Sequence, residues 1–135
     1  MFKSLLALFA LILNATLVSS FAVSTPRDAP APAVAHKGPV PDLANAILVF
    51  TTCNQVNLGN CLTWTATTLP VGCTSLIANG QGDLVESCAT PAGIECTLFT
   101  GEACTGSQQL INGTVNDLST VGFSKIANSF TCQSN

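Results

Sequence analysis

Histidine is almost missing from this sequence. The one imidazole is His36, ahead of the stretch that reads as a folded domain, so no Ser-His-Asp or Cys-His arrangement can form within that domain. No Cys-x-x-Cys pair and no adjacent cysteines occur, which removes zinc-ligand spacing. Charge is scarce as well, at 8% of the residues. From about Asn45 onward the only cation is Lys125, against Asp83, Glu86, Glu95, Glu102 and Asp117. Nucleic-acid binding and attraction to anionic lipid both rest on clustered basic residues, so both are disfavoured. No window carries a capped helical stripe.

What is present begins with a leader. Lys3 precedes an apolar run from Leu5 to Val18, and small residues follow up to Ala22. That is the pattern of a secretory signal peptide over residues 1–22, with a cut after Ala22 or after Ser20. A retained signal anchor is the alternative. The run is shorter than the roughly 20 residues that span a bilayer, and no second run exists. The mature chain is therefore expected outside the cell. Residues 23–44 hold Pro26, Pro30, Pro32, Pro39 and Pro41 among alanines, and read as a disordered linker or pro-segment. Residues 45–135 form one domain.

Seven cysteines, Cys53, Cys61, Cys73, Cys88, Cys96, Cys104 and Cys132, all fall in that domain. An exported chain with spread-out cysteines reads as a disulfide framework. The odd number leaves either a free thiol or one paired with another molecule.

The domain's periodicity is that of strands. Ile47 to Phe50 is a short run of β-formers, and Leu62, Trp64 and Ala66 alternate with threonines as a half-solvated strand does. Trp64 could serve as a sugar-stacking platform, but its place among Leu62 and Ala66 favours the core. Thr74–Ile77, Leu84–Cys88, Ile94–Phe99, Ser107–Ile111, Thr114–Val115 and Ala127–Cys132 complete eight short strands separated by Gly, Pro and Asn turns. Turn signals about every 8–12 residues argue for an all-β sandwich or barrel. The halves also match: Val49-Phe50 with Leu98-Phe99, Gly59 with Gly106, and Leu84–Ser87 with Ile126–Ser129. A four-strand unit used twice is what two packed Greek keys need.

Phe99, Cys104 and Gly106, at i, i+5 and i+7, resemble the signature of the βγ-crystallin-like superfamily, in which a second aromatic stands at i+5. The match covers nearly the whole domain and looks like a small secreted microbial or fungal member. It implies two Greek-key motifs forming a disulfide-stabilised β-sandwich. Each motif would have a folded hairpin, bent at a glycine of positive φ and anchored by a serine of the fourth strand. Ser129 fits that role. The first-half counterparts are Phe50, Leu58-Gly59 and Ser87, with two extra residues in the hairpin. A fourth strand lying antiparallel beside the first would bring Cys96 to Cys132; such a bridge could add roughly 3 kcal/mol. Cys53, in the elongated hairpin, is the candidate free thiol, open to an intermolecular disulfide.

Calcium is the ligand that the resemblance implies. The family motif has two Asn/Asp, two variable residues and two Ser/Thr. The windows here read Gly82-Asp83-Leu84-Val85-Glu86-Ser87 and Ser124-Lys125-Ile126-Ala127-Asn128-Ser129. One has lost its first oxygen ligand and the other puts Lys125 where a dication would sit. Calcium takes six to eight oxygens, so binding is expected to be weak or absent, with Asp83 and Ser87 the residual site. No other cofactor is implied. Asn112-Gly113-Thr114 is an N-glycosylation acceptor in a turn.

The function implied is non-enzymatic: a structural or surface-associated extracellular protein, or a toxin-, inhibitor- or effector-like binder of an external target. A small hydrolase would have to use a carboxylate pair such as Asp83 with Glu86 or Glu95 with Glu102, and no spacing singles out a pair.

Overall fold

The computed structural model describes residues 29–38 and 45–135. The leader over residues 1–22 and the remaining parts of the 23–44 segment lie outside the described residues. The described chain is all-β: β1 (Val34–His36), β2 (Ile47–Gln55), β3 (Gly59–Ala66), β4 (Val71–Ser75), β5 (Ser87–Ala89), β6 (Ile94–Phe99), β7 (Gln108–Asn112), β8 (Thr114–Val115) and β9 (Ser129–Ser134). Short 3₁₀ turns lie at Ile77–Asn79 and Leu118–Val121. Two antiparallel sheets result, in the orders β1-β3-β2-β5-β8 and β4-β9-β6-β7. Each half of the chain lends one strand to the other half's sheet. β4 leaves the first half to pair with β9, and β8 leaves the second to pair with β5.

Side-chain alternation explains which faces meet. Ile94, Cys96 and Leu98 of β6 are buried, and the residues between them are half-exposed. In β3, Trp64 is fully buried, with Leu62 and Ala66 packed partly against the core. β2 buries the neighbours Val49 and Phe50 together. A register shift between Leu48 and Phe50 permits this, since a bulge lets consecutive residues face inward. Phe130 of β9 joins the sheets. Its ring lies 5.1 Å from Phe50 and 4.9 Å from Trp64, both tilted toward edge-to-face. Such pairs contribute about 0.5–1.5 kcal/mol each beyond burial. The indole Nε1 donates to Thr52 Oγ1 at 2.8 Å, and that hydroxyl donates to Gln81 Oε1 at 3.2 Å, so the buried polar atoms beside the aromatics are paired.

Residues 29–38 are not the structureless linker that their prolines suggest. β1 pairs with β3 from Val34↔Thr65 to His36↔Thr63. The Ala31 carbonyl accepts from Gly72 N, and Ala33 N donates to Thr74 Oγ1, both partners in β4. The strap therefore bonds to an edge of each sheet. Without it, β3 would present an unpaired row of donors and acceptors, which favours strand addition. Prolines suit this place because an edge segment can lack some N–H groups.

A second difference concerns Leu84–Cys88, expected to be a strand. Only Ser87–Ala89 is one; residues 82–84 form a turn, and Val85 and Glu86 are irregular. The reason is a pairing across the molecule. Asp83 N donates to the Ala127 carbonyl, and Lys125 N donates to the Val85 carbonyl. Likewise Leu76 N donates to Asn128 O and Leu118 N to Glu86 O. These reciprocal bonds define a pseudo-twofold axis that relates the halves, and they take the place of a sheet ladder.

The strap depends on close approach at Gly72. A β-carbon there would lie 1.9 Å from the Pro30 carbonyl oxygen. Gly72→Ala is expected to detach the strap. Hydrogen–deuterium exchange should rise in β1 and β3, while β6 and β9 keep their protection.

Candidate functional site

Two structures repeat around the pseudo-twofold axis: a folded hairpin and a crossing loop. In the second half, Ser129 Oγ accepts from Cys104 N at 3.0 Å and donates to the Gly101 carbonyl at 2.5 Å. In the first half, Ser87 Oγ accepts from Leu58 N at 2.9 Å and donates to the Gln55 carbonyl at 2.6 Å. Each serine clamps the bend of one hairpin. The clamps also fix the correspondence, matching Gln55 with Gly101 and Leu58 with Cys104. The hairpins are therefore the same length, and the two extra residues expected in the first are not there. It follows that Cys53, not Phe50, occupies the place of Phe99, and Asn60, not Gly59, that of Gly106. Backbone angles agree: Leu58 and Cys104 have φ of 58° and 54°, and Asn60 and Gly106 have 50° and 83°. Asparagine is among the few residues that tolerate this left-handed region, which explains how the first half manages without a glycine there.

The crossing loops carry the polar side chains. Asp83 and Lys125 occupy equivalent places, each with positive φ, at 54° and 57°. Each reaches across the axis. Lys125 Nζ pairs with Glu86 Oε1 at 2.5 Å, the lysine being 60% exposed and the glutamate 19%. Asn128, the equivalent of Glu86, points its Nδ2 at Asp83 Oδ1, 3.0 Å away, and at the Thr100 carbonyl, 2.9 Å away. Its Oδ1 is buried without a partner.

The arrangement has counterparts among solved structures. A chain from a structure on the evolution of the eye lens βγ-crystallin domain fold superposes with a TM-score of 0.59 at 18% identity, covering 76% of this chain and 99% of that one. The N-terminal domain of Protein S gives 0.53 at 19%, over 64% and 96%. A βγ-crystallin domain from Flavobacterium johnsoniae gives 0.51 at 19%, over 64% and 96%. The chain has the βγ-crystallin fold. No family model matches the sequence, and no curated protein does.

In this βγ-crystallin frame, the windows expected to hold calcium do not assemble an oxygen cage. Asp83 faces Asn128, and both lone functions of the Ser87 hydroxyl go to its hairpin. The residues that converge on each crossing include a nitrogen donor, Lys125 Nζ or Asn128 Nδ2. A dication wants oxygens alone, so the side chains as arranged do not fit one. Among the described residues, no group of three or more His, Cys, Asp or Glu is placed to hold a metal. Sequence reading named Asp83 and Ser87 as the residual site and set Lys125 where a dication would sit, but it did not pair Lys125 with Glu86 or Asp83 with Asn128, which only the crossing of the two halves does.

Six cysteines form bridges: Cys53–Cys61, Cys73–Cys104 and Cys96–Cys132. Cys53 is thus not the free thiol. It stands directly opposite Cys61 across the β2–β3 hairpin, the position from which side chains reach each other most easily. The unpaired cysteine is Cys88 in β5, fully buried. Burial pushes its thiol up to about 12, which leaves it protonated and inert. An intermolecular bridge through the odd cysteine would need this strand to open. Asn112 is exposed at the end of β7, followed by Gly113 at φ +91°.

One groove of about 380 Å³ runs beside the strap and the end of β3, and the described residues that line it, among them Ala31, Val34, Thr65 and Thr68, carry no ionisable group. Another, of about 240 Å³, is lined among the described residues by Lys37, Asn54, Asn60, Asn79 and Gln81 beside Leu62 and Cys61. Asp83 and Glu86 are held by partners at opposite crossings, and Glu95 Oε1 accepts from Gln133 Nε2. The cysteine chemistry yields a direct check. Native protein without reductant should resist alkylation and take up one label after unfolding. The unfolded thiol ionises above about 8.5 while the folded one does not until about 12. Cys88 therefore contributes stability below the first value that is lost progressively toward the second. Replacing the hairpin clamp, Ser129→Ala, should cost about 1–3 kcal/mol by urea denaturation, against little change for the exposed Ser107→Ala.

Proposed function

We propose that this chain is a secreted, non-enzymatic βγ-crystallin-like protein that serves as a durable structural or surface-associated module outside the cell. The observation that carries this reading is the Cys73–Cys104 bridge. It ties β4, the strand that the first half lends to the second sheet, to the clamped hairpin of the second half. A bridge at that point resists separation of the two halves, which is what persistence outside the cell demands, and disulfides of this kind form and survive in oxidising compartments. The signal-like leader supports export, and the sequence's likeness to small fungal or microbial members supports that source. Asn112, exposed in its turn, is the site for an N-glycan. The single histidine is engaged with Thr65 Oγ1 at 2.8 Å, and the described residues lining the two grooves bring no acids together, which supports a role without acid–base chemistry.

A toxin-, inhibitor- or effector-like role would be favoured by an exposed apolar or aromatic patch on the loops. Trp64, Phe50, Phe123 and Phe130 are buried, which supports the structural role, while the exposed loop residues Val56, Leu58, Ile77, Leu84, Val121 and Ile126 are the aliphatic surface that a binder would use.

The test is expression of the full chain with its leader in a secreting host. Protein from the medium is expected to have lost residues 1–22 and to show three bridges by intact mass with and without reduction. A glycosidase-sensitive mass increment should vanish in Asn112→Gln. Protease survival should be long in the oxidised state and short after reduction. Retention in the cell, or equal protease resistance with bridges reduced, would overturn the reading.

A further inference from the structure

The two crossing loops present a matched pair of features that the proposed role does not use. Around the pseudo-twofold axis, Asp83 is equivalent to Lys125 and Glu86 to Asn128, as the reciprocal bonds Asp83 N to Ala127 O and Lys125 N to Val85 O establish. At one crossing the acceptor is Glu86 Oε1 and the donor is Lys125 Nζ. At the other the acceptors are Asp83 Oδ1 and Thr100 O, and the donor is Asn128 Nδ2. Different residues at equivalent places thus solve one electrostatic problem. At each crossing a carboxylate of one half meets a nitrogen donor of the other, Glu86 with Lys125 and Asp83 with Asn128, and a carboxylate there is stabilised by a positive or donating group beside it.

The orphaned Asn128 Oδ1 sharpens this. An amide can turn over and exchange its oxygen and nitrogen. Turned over, Oδ1 would face a carboxylate and a carbonyl, three oxygens in repulsion unless a cation sat among them. The observed orientation leaves Oδ1 buried and unpaired, a penalty that two hydrogen bonds to strong acceptors offset. The amide nitrogen is therefore held by the charge at that spot.

We infer that Lys125 Nζ and Asn128 Nδ2 take the place of a divalent cation in the two windows where the resemblance puts a calcium motif, so that the halves are joined by internal donors and the fold is independent of calcium. Lys125 is the only cation from residue 45 onward, and it is committed to this task. The swap follows charge arithmetic. An ammonium beside one carboxylate is neutral without a metal, whereas two carboxylates or an all-oxygen set would need one.

The experiment measures Tm of the full chain in chelator and in millimolar calcium, with calorimetric titration of CaCl₂. Wild type is expected to have the same Tm in both and to give no binding heat, and Lys125→Arg should behave alike. Lys125→Asp sets two carboxylates facing each other. Its Tm should fall by about 4 °C or more in chelator and recover on adding calcium. Asn128→Asp converts the other crossing to oxygens alone and should acquire the same calcium dependence, which keeps the test decisive if Lys125→Asp fails to fold. A wild-type Tm that rises with calcium, or measurable wild-type binding, would overturn the inference. So would a pair of variants of which neither responds to calcium, because the donors would then not be occupying cation positions.

Discussion

The meeting of the two halves along Asp83–Ser87 and Lys125–Ser129 is the constraint from which the rest of the architecture follows. Each loop gives up strand geometry so that its backbone can bond to its counterpart, Asp83 to Ala127 and Lys125 to Val85. That contact places Val85 and Ala127 at the centre of the core, both fully buried. It sets Ser87 and Ser129 where they clamp the hairpins, and it leaves β4 and β8 to cross to the opposite sheet. Exchange of strands makes each half incomplete without the other, so the sandwich behaves as one unit though its sequence repeats.

Covalent bonds are distributed according to the same plan. Cys53–Cys61 and Cys96–Cys132 each join residues directly opposite in neighbouring strands, reinforcing a ladder that already exists. Cys73–Cys104 joins elements of different halves, and it closes a loop whose opening would release the exchanged strand. The seventh cysteine, Cys88, takes the place that Phe130 has in the other half: Cys88 pairs with Thr52 and Phe130 with Leu98. Phe130 itself packs between Phe50 and Trp64. Cys88 is a core side chain in effect, and its isolation from solvent keeps the unpaired thiol from reacting.

The strap shows how the segment ahead of the domain is put to use. Val34–His36 completes the β3 edge, and Ala31 and Ala33 reach the β4 edge. Polar satisfaction is shared among modest contacts, such as His36 Nε2 with Thr65 Oγ1 at 2.8 Å. With so few charges available, the protein relies on backbone pairing and threonine hydroxyls where other chains use ion pairs. Its one ion pair in the crossing, Lys125 with Glu86, is correspondingly conspicuous.

The sequence alone determined the class of the fold, because period-two alternation in Cys61–Ala66 and Ile94–Phe99 has only one buried face to offer, and the resemblance carried by Phe99, Cys104, Gly106 and Ser129 implied the clamped hairpin. It also determined that acid–base catalysis has few materials, a matter of composition. Register, in contrast, came from tertiary structure. Phe50 and Gly59 resemble Phe99 and Gly106 as letters, but the hydroxyl of Ser87 selects Leu58, and the true counterparts are Cys53 and Asn60. Only the folded chain decided that Leu84 to Glu86 would leave the strand, since its hydrogen-bond partner lies some forty residues away in the other half. Cysteine pairing and the fate of the proline-rich strap were settled in the same way. Each depends on which distant backbone edge is left unpaired after the sheets form, and that distance is set by the packing of two halves and not by any local pattern of residues.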